Sequence, residues 1–160
     1  MKLISACLCG INCKYNGGNN LNPYYLQLLR QGNLIPICPE QLAGLTTPRM
    51  ACELMGGTGA DVISGKAQVF TRDGRIITDI FIKGAHETLR IAIHTGADTA
   101  ILQSRSPSCG CGKIYDGSFT GKLVDGDGVS TALLRSKGIK VWNDQEYLCE
   151  KGVCTNIEGS

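Results

Sequence analysis

Short apolar runs, separated by glycine, proline and asparagine, divide the chain into predicted strands, helices and loops. Four of these runs have the length and the bounding residues of buried strands. The predicted strands span residues 2–8, 34–37, 99–102 and 139–142. Because Pro36 lacks a backbone donor, the second of them is expected at an edge of a sheet or at the start of a strand.

Three segments have the spacing and the end signals of helices. The first has Asn22 as its predicted N-cap, with Pro23 in the first helical position. The second has apolar residues at helical spacing, with Asp79 as its predicted N-cap and Gly96 as its end. The predicted helices span residues 23–30, 80–95 and 129–137.

The order of these elements predicts the fold class. Residues 67–77 have the alternation and the Asp73-Gly74 turn of a β-hairpin. The remaining strands and helices alternate, which favours an α/β fold: a three-layer, Rossmann-like sandwich with a mostly parallel central sheet and the hairpin inserted. No internal repeat or linker interrupts the chain, so we expect a single domain over residues 1–160.

Composition and charge exclude several classes of function. Lysine and arginine number 16 and aspartate and glutamate 14, so the formal net charge is only +2. This balance argues against a nucleic-acid partner, which usually requires a concentrated basic surface. No stretch approaches the roughly 18 apolar residues of a membrane span, and the first residues lack the apolar region of a signal peptide. We therefore expect a cytoplasmic protein without a membrane partner.

The cysteines point to metal or sulfur chemistry. The chain has nine cysteines and 21 glycines in 160 residues, which is too many cysteines for incidental core thiols in a reducing compartment. Zinc sites favour cysteine pairs with two to four residues between them, and this chain matches that pattern imperfectly. It contains two C-x-C pairs, Cys7/Cys9 and Cys109/Cys111, and one C-x₃-C pair, Cys9/Cys13. Spacing alone therefore leaves three alternatives open: an iron–sulfur cluster, a zinc site, and reactive or structural thiols.

Three cysteines lie at or beyond the carboxyl ends of predicted strands: Cys7, Cys38 and Cys109. Ligands of open parallel sheets bind in the crevice outside these strand ends. We therefore expect three thiols from distant parts of the chain to meet at one edge of the sheet. A cluster held by only three thiolates would keep one iron open to a substrate atom.

Six short motifs occur in order along the chain, and the matching segments around them extend from residue 3 to about residue 142. They are S-A-C-L-C-G (5–10), C-K-Y-N-G-G (13–18), C-P-E (38–40), G-L-x-x-P-R (44–49), S-P-S-C-G (106–110) and I-Y-D-G-S-F (114–119). Together they resemble the 2-thiouracil desulfidase family, a small prokaryotic module formerly known as a domain of unknown function.

The resemblance implies hydrolytic removal of sulfur from 2-thiouracil or a related thiolated pyrimidine, with release of hydrosulfide and no net redox change. It also implies a [4Fe-4S] cluster held by Cys7, Cys38 and Cys109, with one iron open to the sulfur of the substrate. Cys13 matches a further cysteine of the family, and we expect it behind the ligands or as an alternative ligand. The implied partner is thus a small molecule.

The chain departs from the family pattern at Lys14, Asn16 and Cys52, where arginine, aspartate and proline are usual. None of these departures involves the three cysteines at the strand ends. Five cysteines look like additions of this chain, and they leave a second metal site or a fourth cluster ligand open. They are Cys9, Cys52, Cys111, Cys149 and Cys154.

Glu40 is the predicted catalytic base. It follows Cys38 by two residues, and Pro39 fixes the backbone between them, which would direct the carboxylate into the pocket. A glutamate near an apolar cluster site is suited to take a proton from attacking water. The alternative is an ordinary solvated glutamate at the start of a helix.

Two serines and two aromatic residues complete the candidate site. Ser106 and Ser108 lie beside Cys109, where either hydroxyl would hold the substrate carbonyl or the water, with turn capping as the alternative. Tyr115 and Phe119 are candidates for stacking on a flat pyrimidine ring, with core packing as the alternative. We therefore expect catalytic roles for the serines and substrate contacts for the aromatic residues.

Two other functions stay open at this point. One is a non-catalytic zinc- or cluster-binding module that senses metal or docks to a partner. The other is a sulfur carrier with a persulfide on Cys9 or Cys111, which requires the C-x-C pairs to be exposed. His86 and His94 lie in one predicted helix, where surface positions are commoner than catalytic ones.

Overall fold

The computed structural model describes residues 1–154. The strands are β1 (Lys2–Ser5), β2 (Leu34–Ile37), β3 (Cys52–Met55), β4 (Gln68–Thr71), β5 (Thr99–Leu102), β6 (Lys113–Tyr115), β7 (Leu123–Asp125) and β8 (Lys140–Asn143). The helices are α1 (Pro23–Arg30), α2 (Pro39–Leu42), α3 (Gly59–Ile63), α4 (Thr78–Thr95), α5 (Val129–Ser136) and α6 (Asp144–Glu150). Among these helices, none combines the length and apolar character needed to cross a membrane.

Four of the strands form a parallel sheet in the order β2-β1-β5-β8. Leu3 in β1 lies opposite Ile35 of β2 and Ala100 of β5. The position of β2 at an edge agrees with the expectation from Pro36. The predicted α/β fold with a mostly parallel central sheet is confirmed, and the parallel order places the carboxyl ends of these strands at the same edge.

Helices cover both faces of this sheet. Successive strand residues point to opposite faces, and Leu3 and Ile4 of β1 are both fully buried. Leu3 lies in a core with Leu89 of α4, whereas Ile4 lies in a second core with Tyr25 of α1 and Tyr147 of α6. Burying such a side chain contributes about 1.5–3 kcal/mol relative to its exposure. The three predicted layers therefore rest on two apolar cores.

Two antiparallel strand pairs, β3–β4 and β6–β7, lie outside the central sheet. The predicted hairpin over residues 67–77 forms a turn at Asp73-Gly74, but its second arm is reduced to one bridge at Ile76. β4 pairs along its length with β3 instead. Leu54 and Val69 are buried in that pairing, whereas Ile76 is 58% exposed, so pairing with β3 removes more apolar surface from water.

The first strand is shorter than predicted. β1 ends at Ser5, and the chain enters a 3₁₀ turn over Ala6–Cys9 rather than continuing as a strand. Gly10 closes this turn with a φ of 86°, a left-handed conformation that glycine adopts at no steric cost. Its N–H donates to the carbonyl of Cys7 at 3.3 Å. Cys7 therefore lies in a tight turn.

The predicted start of α1 is confirmed, and that of α4 is wrong. The side chain of Asn22 accepts a hydrogen bond from the N–H of Tyr24 at 2.9 Å, which caps α1. α4 follows Ile77, so Asp79 lies within its first turn and is not the cap. The Thr78 hydroxyl accepts a hydrogen bond from the N–H of Val69 at 3.0 Å, which ties the helix start to β4.

α4 packs against α2 through Gly84. A Cβ at this position would lie 2.3 Å from the carbonyl oxygen of Pro39, so only glycine allows the two backbones to approach so closely. Pro39 lies between Cys38 and Glu40 in the sequence. This helix contact therefore fixes the segment that carries two predicted site residues.

We expect Gly84→Ala to destabilise the protein by about 1–3 kcal/mol, because overpacking against backbone outweighs the better helix propensity of alanine. Urea unfolding followed by circular dichroism measures this free energy. Lys83→Ala, at the exposed neighbouring position, is the control and should change the free energy of unfolding by less than about 0.5 kcal/mol. Equal or greater stability of Gly84→Ala would contradict the predicted clash.

Candidate functional site

A cavity of about 450 Å³ lies at the carboxyl edge of the parallel sheet. Segments that follow β1, β2 and β5 line it, together with residues of β3 and of the β6–β7 region. The cysteines in its lining are Cys7, Cys13, Cys38, Cys52 and Cys109. The other predicted site residues in its lining are Glu40, Ser106, Tyr115 and Phe119. The structure thus places every predicted site residue in the cavity lining except Ser108, which lies behind the lining.

Each cysteine at a strand end is held by a different local structure. Cys7 lies in the 3₁₀ turn after β1, and Cys38 occupies the extended residue between β2 and α2. Cys109 lies in the loop that follows β5. Cys7 and Cys109 are 7% and 5% exposed, and Cys38 is half-buried. The sheet edge therefore collects thiols from three distant segments.

The loop that carries Cys109 is fixed by the start of α5. The N–H of Val129 donates to the carbonyl of Pro107 at 2.8 Å, and the Thr131 hydroxyl donates to the carbonyl of Cys109 at 3.0 Å. The first N–H groups of a helix have no partner within the helix. The loop therefore caps α5, and α5 in turn restricts the positions open to the Cys109 thiol.

The two predicted serines lie in this loop but differ in their contacts. Ser106 Oγ accepts hydrogen bonds from the N–H groups of Ser108 and Cys109, at 3.2 and 3.1 Å, so it caps the turn. Ser108 is buried, and its hydroxyl donates to Glu40 Oε2 at 3.2 Å. Ser106 also lines the cavity, whereas Ser108 contacts the predicted base.

Cys13 lies between two of the predicted ligands. Its contact with Cys38 lowers the pKa of the Cys13 thiol, but its contact with Cys7 and its burial outweigh that effect and raise the pKa to about 11. The contact with Cys13, together with burial, raises the pKa of Cys38, and burial raises the pKa of Cys109. These thiols are protonated at neutral pH, so metal binding must release their protons.

Glu40 is held by an ion pair and by a hydroxyl group. The guanidinium of Arg49 donates from Nε to Glu40 Oε1 at 3.0 Å, and the two side chains are only 7% and 14% exposed. Ser108 donates to the other carboxylate oxygen. An ionised carboxylate has about four lone-pair sites, so these two bonds leave acceptor capacity toward the cavity.

Arg49 connects several segments of the site, although sequence reasoning did not select it as functional. Its Nη2 donates to the carbonyl of Cys13 at 2.7 Å and lies 4.0 Å from Cys38 Sγ. Its Nη1 donates to Thr47 Oγ1 at 2.9 Å. Arg49 ends the motif over residues 44–49, but local sequence does not predict which distant groups its guanidinium contacts.

Glu53 in β3 is a second residue that sequence reasoning missed. Its side chain lines the cavity but is 8% exposed overall. Glu53 Oε1 accepts hydrogen bonds from the N–H groups of Gly117 and Phe119, at 3.0 and 3.2 Å. The carboxylate therefore fixes the chain segment that carries one of the two aromatic residues of the cavity.

Backbone strain and positive charge both concentrate at this cavity. Within residues 1–154, the non-glycine residues with positive φ are Arg105, at 67°, and Phe119, at 57°, and both line it. Such conformations cost of order 1–3 kcal/mol and cluster at functional sites. Lys14, Arg72 and Arg105 line the cavity without a carboxylate partner among the described residues. Their charge favours anionic or strongly polar ligands.

The remaining cysteines lie outside the cavity. Cys9 and Cys111 are 6% and 5% exposed, so the exposed C-x-C pairs that the sulfur-carrier hypothesis requires are absent from the described chain, and that expectation is wrong. Their burial follows from apolar packing against the two cores. Cys149 and Cys154 form a disulfide. Both histidines are exposed on α4.

The donor set of the cavity fits an iron–sulfur cluster. Cysteine thiolates are the usual ligands of such clusters, and Cys7, Cys38 and Cys109 reach the cavity from three directions along the chain. In residues 1–154, no three His, Cys, Asp or Glu side chains surround a point where a single metal ion could be held. Five cysteines line this one cavity, which is the donor chemistry that such a cluster requires.

Comparison with known proteins agrees with this donor chemistry. The family model described as 2-thiouracil desulfurase matches residues 3–146. The uncharacterized protein YbbK of Bacillus subtilis (strain 168) is 42% identical over 146 residues, covering 91% of this chain and 97% of that protein. A solved structure of the [4Fe-4S]-dependent thiouracil desulfidase TudS matches with a TM-score of 0.81 and 35% identity, over 94% of each chain. The chain belongs to the 2-thiouracil desulfurase family.

Proposed function

We propose that this protein is a [4Fe-4S]-dependent desulfidase that hydrolyses the C–S bond of 2-thiouracil or a related thiolated pyrimidine. The products are a uracil-type pyrimidine and hydrosulfide, and no net oxidation or reduction occurs. One observation carries the proposal: Cys7, Cys38 and Cys109 line a single cavity together with the ion-paired carboxylate of Glu40. Family membership and the likeness to TudS support it.

Cys7, Cys38 and Cys109 are the residues that would hold the cluster. When bound, the cluster would supply a thiophilic Lewis acid, which polarises the C–S bond of the substrate. Cys13 contacts two of these thiols, and its proposed role is to support them rather than to bind iron. With these three residues as its protein ligands, the cluster would keep one iron open to the sulfur of the substrate.

Glu40 is the proposed base. It takes a proton from the water that attacks the ring carbon, and it is positioned for this role by Arg49 and Ser108. The ion pair holds the carboxylate in one orientation, whereas an unpaired glutamate on the surface would sample several. Since both partners are themselves anchored in loops of the site, the base keeps its place relative to the thiols.

Ser106 is the proposed donor to the substrate or to the water. Two backbone N–H groups occupy the acceptor sites of its hydroxyl oxygen, so its own proton is free to be donated to another group. The residue lines the cavity, where a pyrimidine carbonyl or the attacking water is the available acceptor. Tyr115 and Phe119 offer aromatic surface to the flat ring.

The cluster ligands are tested by single substitutions. Replacing Cys7, Cys38 or Cys109 with alanine removes one ligand, so we expect loss of bound iron, brown colour and hydrosulfide release after anaerobic reconstitution. Cys9→Ala is the matched control, because Cys9 is as buried as Cys7 but lies outside the cavity. Cys13→Ala and Cys52→Ala should retain iron. Loss of iron in either, or a colourless protein with one zinc, would contradict the assignment.

The role of Glu40 is tested by Glu40→Gln, which keeps the shape of the side chain and removes the base. We expect normal iron content and a fall in kcat of roughly 10²-fold or more, the usual scale for a lost general base. The measurement is hydrosulfide release from 2-thiouracil under anaerobic conditions. Glu87→Gln, on α4 outside the cavity, should keep full activity, and normal turnover in Glu40→Gln would exclude the proposed role.

The ion pair is tested by Arg49→Lys, which keeps the charge but loses the planar group that reaches Glu40 and the Cys13 carbonyl together. We expect a loss of about 1.5–3 kcal/mol in the free energy of unfolding, the range for charged hydrogen bonds. Arg90→Lys disturbs the exposed pair with Glu87 and should cost less than about 1 kcal/mol. Urea unfolding measures both free energies. Similar losses in the two variants would contradict the expectation that the less exposed ion pair contributes more to stability.

A further inference from the structure

Glu53 is a buried carboxylate in the cavity for which the proposed chemistry has no use. It is 8% exposed, and within residues 1–154 no lysine, arginine or histidine forms an ion pair with it. Its hydrogen-bond donors are the backbone N–H groups of Gly117 and Phe119. A buried charge without a cation costs free energy unless hydrogen bonds satisfy it. The hydrogen-bond partners of each carboxylate oxygen therefore decide how well Glu53 is stabilised.

The two oxygens of this carboxylate differ in their surroundings. Oε1 accepts both backbone hydrogen bonds, whereas Oε2 accepts none from the described residues. Within residues 1–154, Ser130 Oγ is the one side-chain nitrogen or oxygen atom that is both shielded from solvent and without a hydrogen-bond partner. Glu53 Oε2 also has no partner among these residues, so it is not shielded from solvent. Since Glu53 lines the cavity, its free oxygen is available to a molecule bound there.

The segment that Glu53 holds is fixed closely against β3. A Cβ at position 117 would lie 2.5 Å from the carbonyl oxygen of Leu54, so Gly117 permits a contact between backbones that other residues would block. Phe119 follows with its strained φ of 57° and lines the same cavity. The carboxylate and the aromatic side chain are therefore kept together as one rigid unit of the cavity wall.

We propose that Glu53 is a substrate-binding residue whose Oε2 accepts a hydrogen bond from a ring N–H of the thiolated pyrimidine, beside the aromatic face of Phe119. This inference rests on the proposed function and adds the group that recognises the ring. 2-Thiouracil carries N–H groups on both sides of its thiocarbonyl, so it can donate to a carboxylate. The ligand class is thus a flat, unalkylated ring with an N–H next to the C–S bond.

The chemistry explains why a carboxylate is suited to this position. An ionised glutamate presents acceptors on both sides, so it can serve the loop N–H groups and a ring N–H at the same time. A glutamine has one acceptor and one donor group. If the amide oxygen accepted hydrogen bonds from the loop N–H groups, the NH₂ would face the ring N–H. If the oxygen accepted from the ring N–H, the NH₂ would face the loop N–H groups.

The experiment measures equilibrium binding of uracil, 1-methyluracil and 3-methyluracil to the cluster-loaded protein, with Glu53→Gln beside it. Uracil is the uracil-type product and is not consumed. We expect one of the two N-methyl compounds to bind the unmodified protein at least about tenfold more weakly than uracil. In Glu53→Gln, uracil binding should weaken by a similar factor, and the penalty for that methyl group should largely disappear. Glu146→Gln, an exposed glutamate outside the cavity, should match the unmodified protein.

Turnover of 2-thiouracil gives a second readout. We expect KM to rise at least about tenfold in Glu53→Gln, with kcat and iron content little changed, which separates this variant from Glu40→Gln.

If Glu53 served only to hold the loop, the variant would lose affinity for all three uracils by one common factor, and the inference would be wrong. Equal binding of the three uracils to the unmodified protein would also overturn it, even where the variant fails to fold. Absence of hydrosulfide release from the unmodified protein would instead refute the proposed function, while the uracil series would still decide the role of Glu53.

Discussion

The ion pair between Arg49 and Glu40 is the contact on which the geometry of the site depends. Its partners are nearly buried, so each charge is stable there because the other is present. The guanidinium also binds the carbonyl of Cys13 and lies beside Cys38, and the carboxylate accepts a hydrogen bond from Ser108 next to Cys109. One pair of charges thus joins three segments that carry cysteines.

The layers behind the site make this arrangement rigid. On one side, Gly84 of α4 lets that helix approach the carbonyl of Pro39, between Cys38 and Glu40. A Cβ at Gly128, just before α5, would lie 2.6 Å from the carbonyl of Ser108, so a second close approach supports the other loop. Close-packed interiors transmit such constraints directly. Two glycines far apart in the sequence therefore serve the same site from behind.

The sequence was sufficient for features that depend on local pattern or on a general rule of topology. The cap at Asn22, the apolar runs of the parallel strands and the convergence of strand-end cysteines are of this kind. The strands β6 and β7 were missed because each has only three residues, too few for a periodic signal. In β3, Glu53 interrupts the short apolar run that would have marked a buried strand. The contact of Glu53 with Gly117 joins residues 64 positions apart, and no local spacing encodes it.

The two carboxylates of the cavity, Glu40 and Glu53, lie in different surroundings, which favours different roles for them. Glu40 lies beside a cation and close to the cysteines, and each of its oxygens accepts one hydrogen bond, from Arg49 and from Ser108. Glu53 is held only by neutral backbone donors, next to an aromatic side chain, and keeps one oxygen free. Groups of the same type in different environments commonly serve different roles in one active site. On the proposed function, the thiols would form the chemical end of the cavity and the aromatic wall its recognition end, and a flat thiolated ring would need to reach both.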